Sequence, residues 1–266
     1  MFIPITKKSL GQHWLTDPES LQAICNSADL SSADTVLEIG PGMGNLTRLL
    51  AARAAKVVAV ELDKKLADEL SKQLSDRNVQ IINQDILRFD LSGLPLDYKI
   101  VANIPYYLTS HLIRTISESL NPPQRAVLLV QKEVANRVSS KPGDMSLLSI
   151  SAQFYWEVSV GRIIGSKLFT PPPKVDSQVL VLKRRSSELF PEVDVKTYFR
   201  IVKAGFAGRR KTLLNSLSAG LRLPKAEVAD LLSTSRIDPK NRAQNLSLND
   251  WHRIYKTAER SLKHNT

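Results

Sequence analysis

The sequence has few of the residues that build disulfides or metal sites. It contains one cysteine, Cys25, which cannot form an internal disulfide, and four histidines. The histidines, which lack ligand spacing around Cys25, are His13, His111, His252 and His264. The sequence therefore predicts neither a structural nor a catalytic metal, and an unpaired cysteine fits a reducing cytoplasm.

Long hydrophobic runs are also missing. The longest apolar runs, such as residues 126–130, have the length of a strand and are far shorter than the roughly 20 residues that span a bilayer. Residues 1–9 are basic and no apolar segment follows them, so neither a signal peptide nor a membrane anchor is indicated. We expect a protein without a membrane association, and a monomer, because no exposed apolar helix face demands a partner.

Excess charge is missing from the first two thirds of the chain. Residues 1–182 carry 19 Lys and Arg against 18 Asp and Glu, a net charge of +1, whereas residues 183–266 carry 18 against 8, a net charge of +10. A concentrated positive field attracts polyanions, because phosphate neutralisation releases counterions. The last third of the chain therefore predicts a nucleic acid partner, with a solvated charged helix face as the alternative.

Short apolar runs alternate with longer amphipathic runs between residues 36 and 130, a pattern typical of βαβ units and a parallel sheet. Strands are predicted at residues 35–39, 56–60, 79–82, 99–102 and 126–130, and helices at 45–54, 64–74, 109–120 and 132–138. From about Asp194 the pattern becomes helical. We expect an α/β domain with a Rossmann-like sheet at residues 1–190 and a small all-helical basic domain at residues 191–266.

A glycine loop follows the first strand of the predicted sheet. The segment Gly40-Pro41-Gly42-Met43-Gly44 leads directly into a helix, a passage in which glycine lets the backbone approach a ligand. Its spacing departs from the dinucleotide fingerprint, and an ordinary tight turn is the alternative. Because the loop has no Lys or Arg to meet a phosphate, Gly40 and Gly42 are candidates for binding a nucleoside rather than a pyrophosphate.

Carboxylates follow the next two strands. Glu61 lies about 20 residues beyond the glycine loop, where a carboxylate can accept both ribose hydroxyls. Asp85 follows the third strand and can accept a hydrogen bond from an adenine amine. Solvated loop charges are the alternative, but the carboxyl ends of parallel strands meet at one sheet edge. Acidic walls favour a cationic sulfonium ligand such as S-adenosylmethionine.

The fourth strand ends in Asn103-Ile104-Pro105-Tyr106, the most specific signal in the chain. An adenine amine is a poor nucleophile because its lone pair is delocalised into the ring. The Asn103 side-chain oxygen and a backbone carbonyl of this segment could each accept one N–H and aim the lone pair at a methyl carbon. Pro105 restricts the backbone direction, and Tyr106 offers a face on which the base can stack.

A proline-rich loop supplies a second aromatic residue. Phe169 precedes Thr170-Pro171-Pro172-Pro173, and three prolines stiffen a loop that could form the other wall of a base sandwich. Alone, Phe169 would be interpreted as a core anchor. Together with the Asn103 segment it predicts an adenine site.

With these motifs the chain resembles the ribosomal RNA adenine dimethyltransferase family over nearly its whole length. The resemblance rests on residues 8–15 (KSLGQHWL), 38–42 (EIGPG), 61–63 (ELD), 84–85 (QD), 103–106 (NIPY), 130–135 (VQKEVA), 169–177 (FTPPPKVDS) and 209–213 (RRKTL). Within that family the chain is most similar to the branch that dimethylates two adjacent adenosines near the 3′ end of small-subunit ribosomal RNA.

The resemblance implies a methyltransferase sheet, a small helical carboxyl-terminal domain and S-adenosylmethionine as the methyl donor. It implies cofactor contacts from His13, Leu15, Gly40, Glu61, Asp85 and Asn103. It also implies that Asn103, Tyr106 and Phe169 handle the base, and that the partner is ribosomal RNA in an immature small subunit. The family commonly has Phe where Trp14 stands and often Asn where His13 stands.

Other functions share parts of these patterns. The antibiotic-resistance branch, which acts on large-subunit ribosomal RNA, has the same motifs, and a ribosome-assembly factor that mainly binds could coexist with catalysis. A DNA adenine methyltransferase is disfavoured, because that class usually has a proline where Ile104 stands. For the basic domain we predict RNA docking through Arg209, Arg210 and Lys211.

Overall fold

The computed structural model of this chain describes residues 12–74, 78–105, 108–208 and 210–263. The strands are β1 (Trp14–Leu15), β2 (Thr35–Ile39), β3 (Lys56–Glu61), β4 (Val79–Asn83), β5 (Lys99–Asn103), β6 (Arg125–Gln131), β7 (Trp156–Ile164), β8 (Phe169–Thr170) and β9 (Ser177–Arg184). The α-helices are α1 (Pro18–Ser27), α2 (Asn45–Ala51), α3 (Lys64–Gln73), α4 (Thr109–Ser117), α5 (Lys132–Val138), α6 (Leu147–Tyr155), α7 (Val195–Phe206), α8 (Leu213–Leu221), α9 (Lys225–Thr234) and α10 (Leu248–Lys263).

Seven of the strands form one sheet, in which they lie in the order β4-β3-β2-β5-β6-β9-β7. The pairs from β4 to β6 are parallel, and β9 pairs antiparallel with both β6 and β7. Separately, β1 and β8 form an antiparallel pair. The predicted α/β class is confirmed, and the parallel strands bring their carboxyl ends to one edge.

The central strands are buried along almost their whole length. Val36 and Leu37 of β2 and Ile100 of β5 are fully excluded from solvent. Such continuous apolar runs are expected of parallel strands that are covered on both faces. Helix α3 buries Leu66, Ala67 and Leu70, as its three- and four-residue spacing predicts.

Two predicted helices are too long. Helix α4 ends at Ser117 rather than at residue 120, and Leu120 is fully exposed. The Asn121 side chain donates to the carbonyls of Leu91 and Leu94. Because Pro122 follows it, Asn121 is also disfavoured in a helical conformation, and the helix does not continue. Helix α2 ends at Ala51 rather than at residue 54. The predicted strands agree with the structure to within one residue at each end.

The chain forms two compact units. One comprises Met1–Asn136 and Trp156–Arg184, and the other comprises Arg137–Tyr155 and Arg185–Thr266. The second unit therefore includes a segment from within the predicted domain 1–190. Ile150 and Phe154 of α6 belong to the same hydrophobic core as Tyr198, Trp251 and the other buried residues of the helical unit. A boundary based on the end of the strand pattern cannot reveal this insertion, which is itself helical.

The residues that the structure describes contain no helix long and apolar enough to cross a membrane. Within the same residues, no group of three or more His, Cys, Asp or Glu side chains is placed to hold a metal ion.

A buried ion pair anchors the amino-terminal edge of the sheet. The Nζ of Lys99, at the start of β5, lies 3.0 Å from the Asp34 carboxylate and also donates to the carbonyl of Asp29. The two side chains of the pair are 8% and 16% exposed. Removing one member of a buried pair leaves the other charge without compensation.

We predict that Lys99→Met lowers the free energy of unfolding by about 3 kcal/mol, because Asp34 and the Asp29 carbonyl lose their shared donor. Chemical denaturation measures the change. Lys64→Met is the matched control, since Lys64 pairs with Asp68 where the side chains are 75% and 55% exposed, and it should cost about 0.5 kcal/mol or less. Equal losses in the two variants would contradict the assignment.

Candidate active site

A cavity of about 200 Å³ lies at the carboxyl ends of the parallel strands. It is lined by residues at or just after the ends of four neighbouring strands, and by part of the amino-terminal segment. The predicted site residues that line it are His13, Leu15, Gly40, Gly42, Glu61, Asp85, Asn103 and Pro105. The structure therefore brings together all seven residues predicted for the cofactor and the first part of the predicted catalytic segment.

The glycine loop needs its glycines. Gly40 and Gly42 have φ angles of 69° and 56°, in the left-handed region that side chains disfavour. A Cβ on Gly42 would also lie 2.6 Å from Cζ3 of Trp14. The amide of Gly40 donates to the Val60 carbonyl at 2.9 Å, which holds the loop against β3. The loop is therefore fixed by conformation and by contact.

Glu61 forms the link between this loop and the end of β3. Its Oε2 accepts from the Gly42 amide at 3.1 Å, and its Oε1 accepts from the Asp63 amide at 2.9 Å. A carboxylate has about four lone-pair positions, so Glu61 keeps acceptor capacity for a ligand. Burial raises the pKa of Glu61, hydrogen bonds from the Asp63, Gly42 and Leu62 amides oppose the rise, and the nearby Asp63 carboxylate adds to it.

Two leucines beside the acidic residues were not found by sequence reasoning. Leu62 follows Glu61, Leu87 lies two residues after Asp85, and both line the cavity. They are 50% and 38% exposed, although leucine usually avoids water. Such exposure is a signal only once the cavity is known, because single exposed apolar residues are common on protein surfaces.

Asn103 ends β5 at the same edge. It is half-buried, it lines the cavity, and its backbone oxygen lies 3.9 Å from the position of a Cβ on Gly40. Ile104 is buried, and the Pro105 carbonyl accepts from the Leu108 amide at 3.0 Å. The end of β5 therefore lies beside the glycine loop, and the Pro105 carbonyl is hydrogen-bonded to the residue that precedes α4.

A second buried acid lies under the cavity. Glu38 of β2 is 1% exposed, and its Oε2 has no hydrogen-bond partner among the described residues. Burial raises the pKa of Glu38 to about 8; the Thr47 hydroxyl opposes the rise and the Glu61 carboxylate adds to it. A buried acceptor without a donor is costly unless a proton or a ligand satisfies it.

Some predicted residues do not join the cavity. Phe169 is 3% exposed and packs in the core of the first unit, so its role as a wall for the base stays a prediction. Tyr106 and Arg209 lie outside the described residues. Arg210 and Lys211 are exposed in the helical unit.

The cavity suits an adenine nucleoside with a positive charge. Glu61 provides free lone pairs for hydroxyls, Asp85 provides an acceptor, and Leu62 and Leu87 provide apolar surface. No Lys or Arg occurs among the described residues that line the cavity, so a pyrophosphate would find no cation there.

Comparison with known proteins identifies the family. Residues 5–260 match the model of the ribosomal RNA adenine dimethylase family. The chain belongs to this family. A ribosomal RNA small subunit methyltransferase A from Dehalococcoides mccartyi (strain CBDB1) is 41% identical over 252 residues, which cover 93% of this chain and 87% of that protein. The protein of the same name from Streptococcus equi subsp. zooepidemicus (strain MGCS10565) is 40% identical over 261 residues, covering 93% and 90%.

Two solved structures agree with this assignment. A dimethyladenosine transferase from Plasmodium falciparum has a TM-score of 0.80 at 27% identity, covering 93% of this chain and 98% of that one. The 23S rRNA methyltransferase ErmE has a TM-score of 0.75 at 29% identity, covering 92% and 99%. The family resemblance and the methyltransferase fold predicted from the sequence are confirmed. The protein is an S-adenosylmethionine-dependent ribosomal RNA adenine dimethyltransferase.

The raised pKa of the buried Glu38 should make the stability of the protein depend on pH. Its folded-state pKa of about 8 lies above the ordinary 4.5, so between these values the folded chain binds more protons than the unfolded chain and stability falls as pH rises. Glu38→Gln is neutral throughout. We predict that the stability of this variant relative to wild type increases from about pH 5 to about pH 8, by at most about 1.4 kcal/mol per pH unit.

Denaturation curves at several pH values measure this difference in the free energy of unfolding. Its change with pH is the test, because the buried amide adds a constant difference at every pH. The same substitution at Glu69, an exposed residue of α3, is the control. A stability difference for Glu38→Gln that stays constant over this pH range would show that the Glu38 carboxyl is ionised in the folded protein.

Proposed function

We propose that this protein transfers methyl groups from S-adenosylmethionine to the exocyclic amines of two adjacent adenosines near the 3′ end of small-subunit ribosomal RNA, as a step in maturation of that subunit. The observation that carries the proposal is the single cavity in which the glycine loop, Glu61, Asp85 and Asn103 meet. The relatives at about 40% identity, which are named small subunit methyltransferases, support the choice of RNA.

In this proposal the cavity holds the methyl donor through separate groups. Glu61 accepts from the ribose hydroxyls, Asp85 accepts from the adenine amine, and the faces of Leu62 and Leu87 contact the adenine ring. His13, Leu15, Gly40, Gly42 and Asn103 line the part of the cavity nearer the glycine loop. When bound, S-adenosylmethionine supplies an electrophilic methyl carbon. The amide of Gly42 keeps the Glu61 carboxylate oriented toward its ligand.

The residues after β5 prepare the target amine. The Asn103 side-chain oxygen and a backbone carbonyl of the same turn each accept an N–H, which draws the nitrogen lone pair out of conjugation and directs it at the methyl carbon. The Pro105 carbonyl already accepts from Leu108, so the Asn103 and Ile104 carbonyls are the better candidates. Because the amine becomes acidic only after alkylation, positioning matters more than a strong general base. Tyr106 and Phe169 are the proposed stacking residues.

Large-subunit ribosomal RNA is a second candidate substrate, because the chain is similar over nearly its whole length to ErmE, which is named a 23S rRNA methyltransferase. The higher identity to proteins named small subunit methyltransferases favours the small subunit. Offering purified small and large subunits separately with labelled methyl donor distinguishes the two. Label in the large subunit alone would replace the proposed substrate with this second one.

We predict that Asn103→Ala lowers the methyl-transfer rate on immature small subunits by about 10²-fold or more, because the amine loses an acceptor that strengthens in the transition state. Methyl incorporation under single-turnover conditions measures the rate. Asn249→Ala, at an exposed position of α10, is the control and should transfer at the wild-type rate. Undiminished dimethylation by Asn103→Ala would refute the proposed mechanism.

The same variant addresses whether binding or methylation matters more in the cell. We propose that the protein acts as a monomer in the cytoplasm and recognises an immature subunit. Full rescue of subunit maturation by Asn103→Ala, in cells that lack the protein, would make binding the main role. Failure of rescue at equal protein level would support catalysis.

The helical unit provides the proposed RNA-docking surface. Arg210 and Lys211 are exposed and form no ion pair with a described residue. They precede α8, whose Leu213 and Leu214 amides already donate to the carbonyls of Asn241 and Pro239. Since these amides are occupied, phosphate binding here depends on the basic side chains rather than on the helix amino terminus.

We predict that changing Arg209, Arg210 and Lys211 all to Glu weakens binding to small subunits. The negative slope of log K against log salt should become shallower by about 0.7–0.9 per lost phosphate contact. Filter binding or interferometry over a salt series measures both quantities. The control replaces Lys64, Lys65 and Lys72 of α3, which makes the same change in net charge. Equal effects in both triple variants would mean that overall charge, and not this surface, controls affinity.

A further inference from the structure

A short segment of the chain joins two parts of the first unit that act on different ligands in the proposed reaction. We call residues 12–15 the bridging segment. Strand β1 of this segment pairs antiparallel with β8, with Trp14 opposite Thr170 and Leu15 opposite Phe169. The His13 ring extends the pairing, since its Nδ1 lies 2.7 Å from the carbonyl oxygen of Pro171.

The same segment lines the cofactor cavity. All four of its residues contribute to the lining. The Trp14 ring lies directly against Gly42, where a Cβ would come within 2.6 Å of it, and the Leu15 carbonyl accepts from Nδ2 of Asn45, the first residue of α2, at 3.1 Å. The bridging segment thus contacts the glycine loop and α2 at one end of its contacts, and at the other it contacts residues 169–173, which we call the Phe169 loop.

Packing makes this connection stiff. Trp14, Leu15 and Phe169 are 8%, 4% and 3% exposed, and Leu15 and Phe169 share one hydrophobic core. The Trp14 Nε1 has no hydrogen-bond partner among the described residues, so packing against Gly42 sets the position of the ring. Close-packed interiors pass on small displacements instead of absorbing them. The bridging segment is therefore packed against the glycine loop and paired with β8.

We propose that the bridging segment couples the cofactor cavity to the Phe169 loop, with His13 and Trp14 as positioning residues for methyl transfer. The inference rests on the proposed function, in which the Phe169 loop receives the target adenine. Filling the cavity fixes the Trp14 ring, and the β1–β8 pair with the His13–Pro171 hydrogen bond carries that constraint to the loop. Because coupling between two sites is reciprocal, RNA and cofactor raise each other's affinity by the same factor.

His13 can be tested without touching the contacts of Trp14 or Leu15. His13→Leu introduces an apolar side chain that is branched at the same carbon, and it removes the nitrogen that donates to the Pro171 carbonyl. His13→Asn restores a donor, because Nδ2 of Asn occupies nearly the same place along the side chain as Nδ1 of His. His111→Leu, at an exposed position of α4, is the control for loss of a histidine.

The experiment measures the affinity for immature small subunits with and without saturating S-adenosylhomocysteine, and the affinity for S-adenosylhomocysteine alone. For the wild type and for His111→Leu, we predict that S-adenosylhomocysteine tightens RNA binding about 5-fold or more. For His13→Leu the ratio falls toward 1 at concentrations of S-adenosylhomocysteine that saturate this variant, however far its affinity for S-adenosylhomocysteine alone falls. His13→Asn recovers most of the ratio.

The outcomes separate this inference from the proposed function. Wild-type protein that binds both ligands with no mutual effect overturns the coupling and leaves the proposed function standing. His13→Leu that loses affinity for S-adenosylhomocysteine but keeps the ratio overturns the positioning role, since His13 is then only a cofactor contact. Wild-type protein that binds neither ligand overturns both. Thermal unfolding of each variant verifies that it is folded.

Discussion

The hydrogen bond between the Gly42 amide and the buried Glu61 carboxylate holds together two strand ends that the active site needs side by side. Gly42 follows β2 and Glu61 ends β3, and the parallel register of these strands brings them to the same edge. The bond orients a carboxylate that has lone pairs to spare, and it keeps the glycine loop open beside Asn103. Asp85 and Asn103 then join from β4 and β5 through the same parallel register.

The cofactor cavity and the carboxyl-terminal part of the chain differ in charge. The cavity is walled by acids and apolar side chains and contains no basic side chain among its described residues, which suits a cationic donor. Most of the net positive charge lies in residues 183–266, which suits a polyanionic partner. A phosphate group would find no cation among the described residues that line the cavity.

The sequence predicts those parts of the site that strand order alone determines. Gly40, Glu61, Asp85 and Asn103 each follow or end a strand with a clear apolar pattern, so the parallel sheet must bring them together. Residues 12–15 have no such pattern, and only family resemblance identified His13 and Leu15 as site residues.

Other features depend on tertiary packing that a local pattern does not record. Leu62 and Leu87 look like ordinary loop residues until the cavity between them is known. The role of Phe169 beside the base stays a prediction, and no sequence pattern indicates that its ring packs in the core of the first unit, opposite Leu15. The inserted segment Arg137–Tyr155 packs with the helical unit, although it lies between strands of the sheet in sequence. In each case distant residues determine the surroundings.

Nucleotide-resolution mapping of the methylated adenines, by mass spectrometry, tests the proposed reaction most directly, after purified protein and S-adenosylmethionine react with immature small subunits. We expect N6,N6-dimethyladenosine at two adjacent positions near the 3′ end of the small-subunit RNA and at no other site. Methylation of another atom of the base, or of adenines elsewhere in the RNA, would contradict the assignment of Asn103 and its turn to this amine.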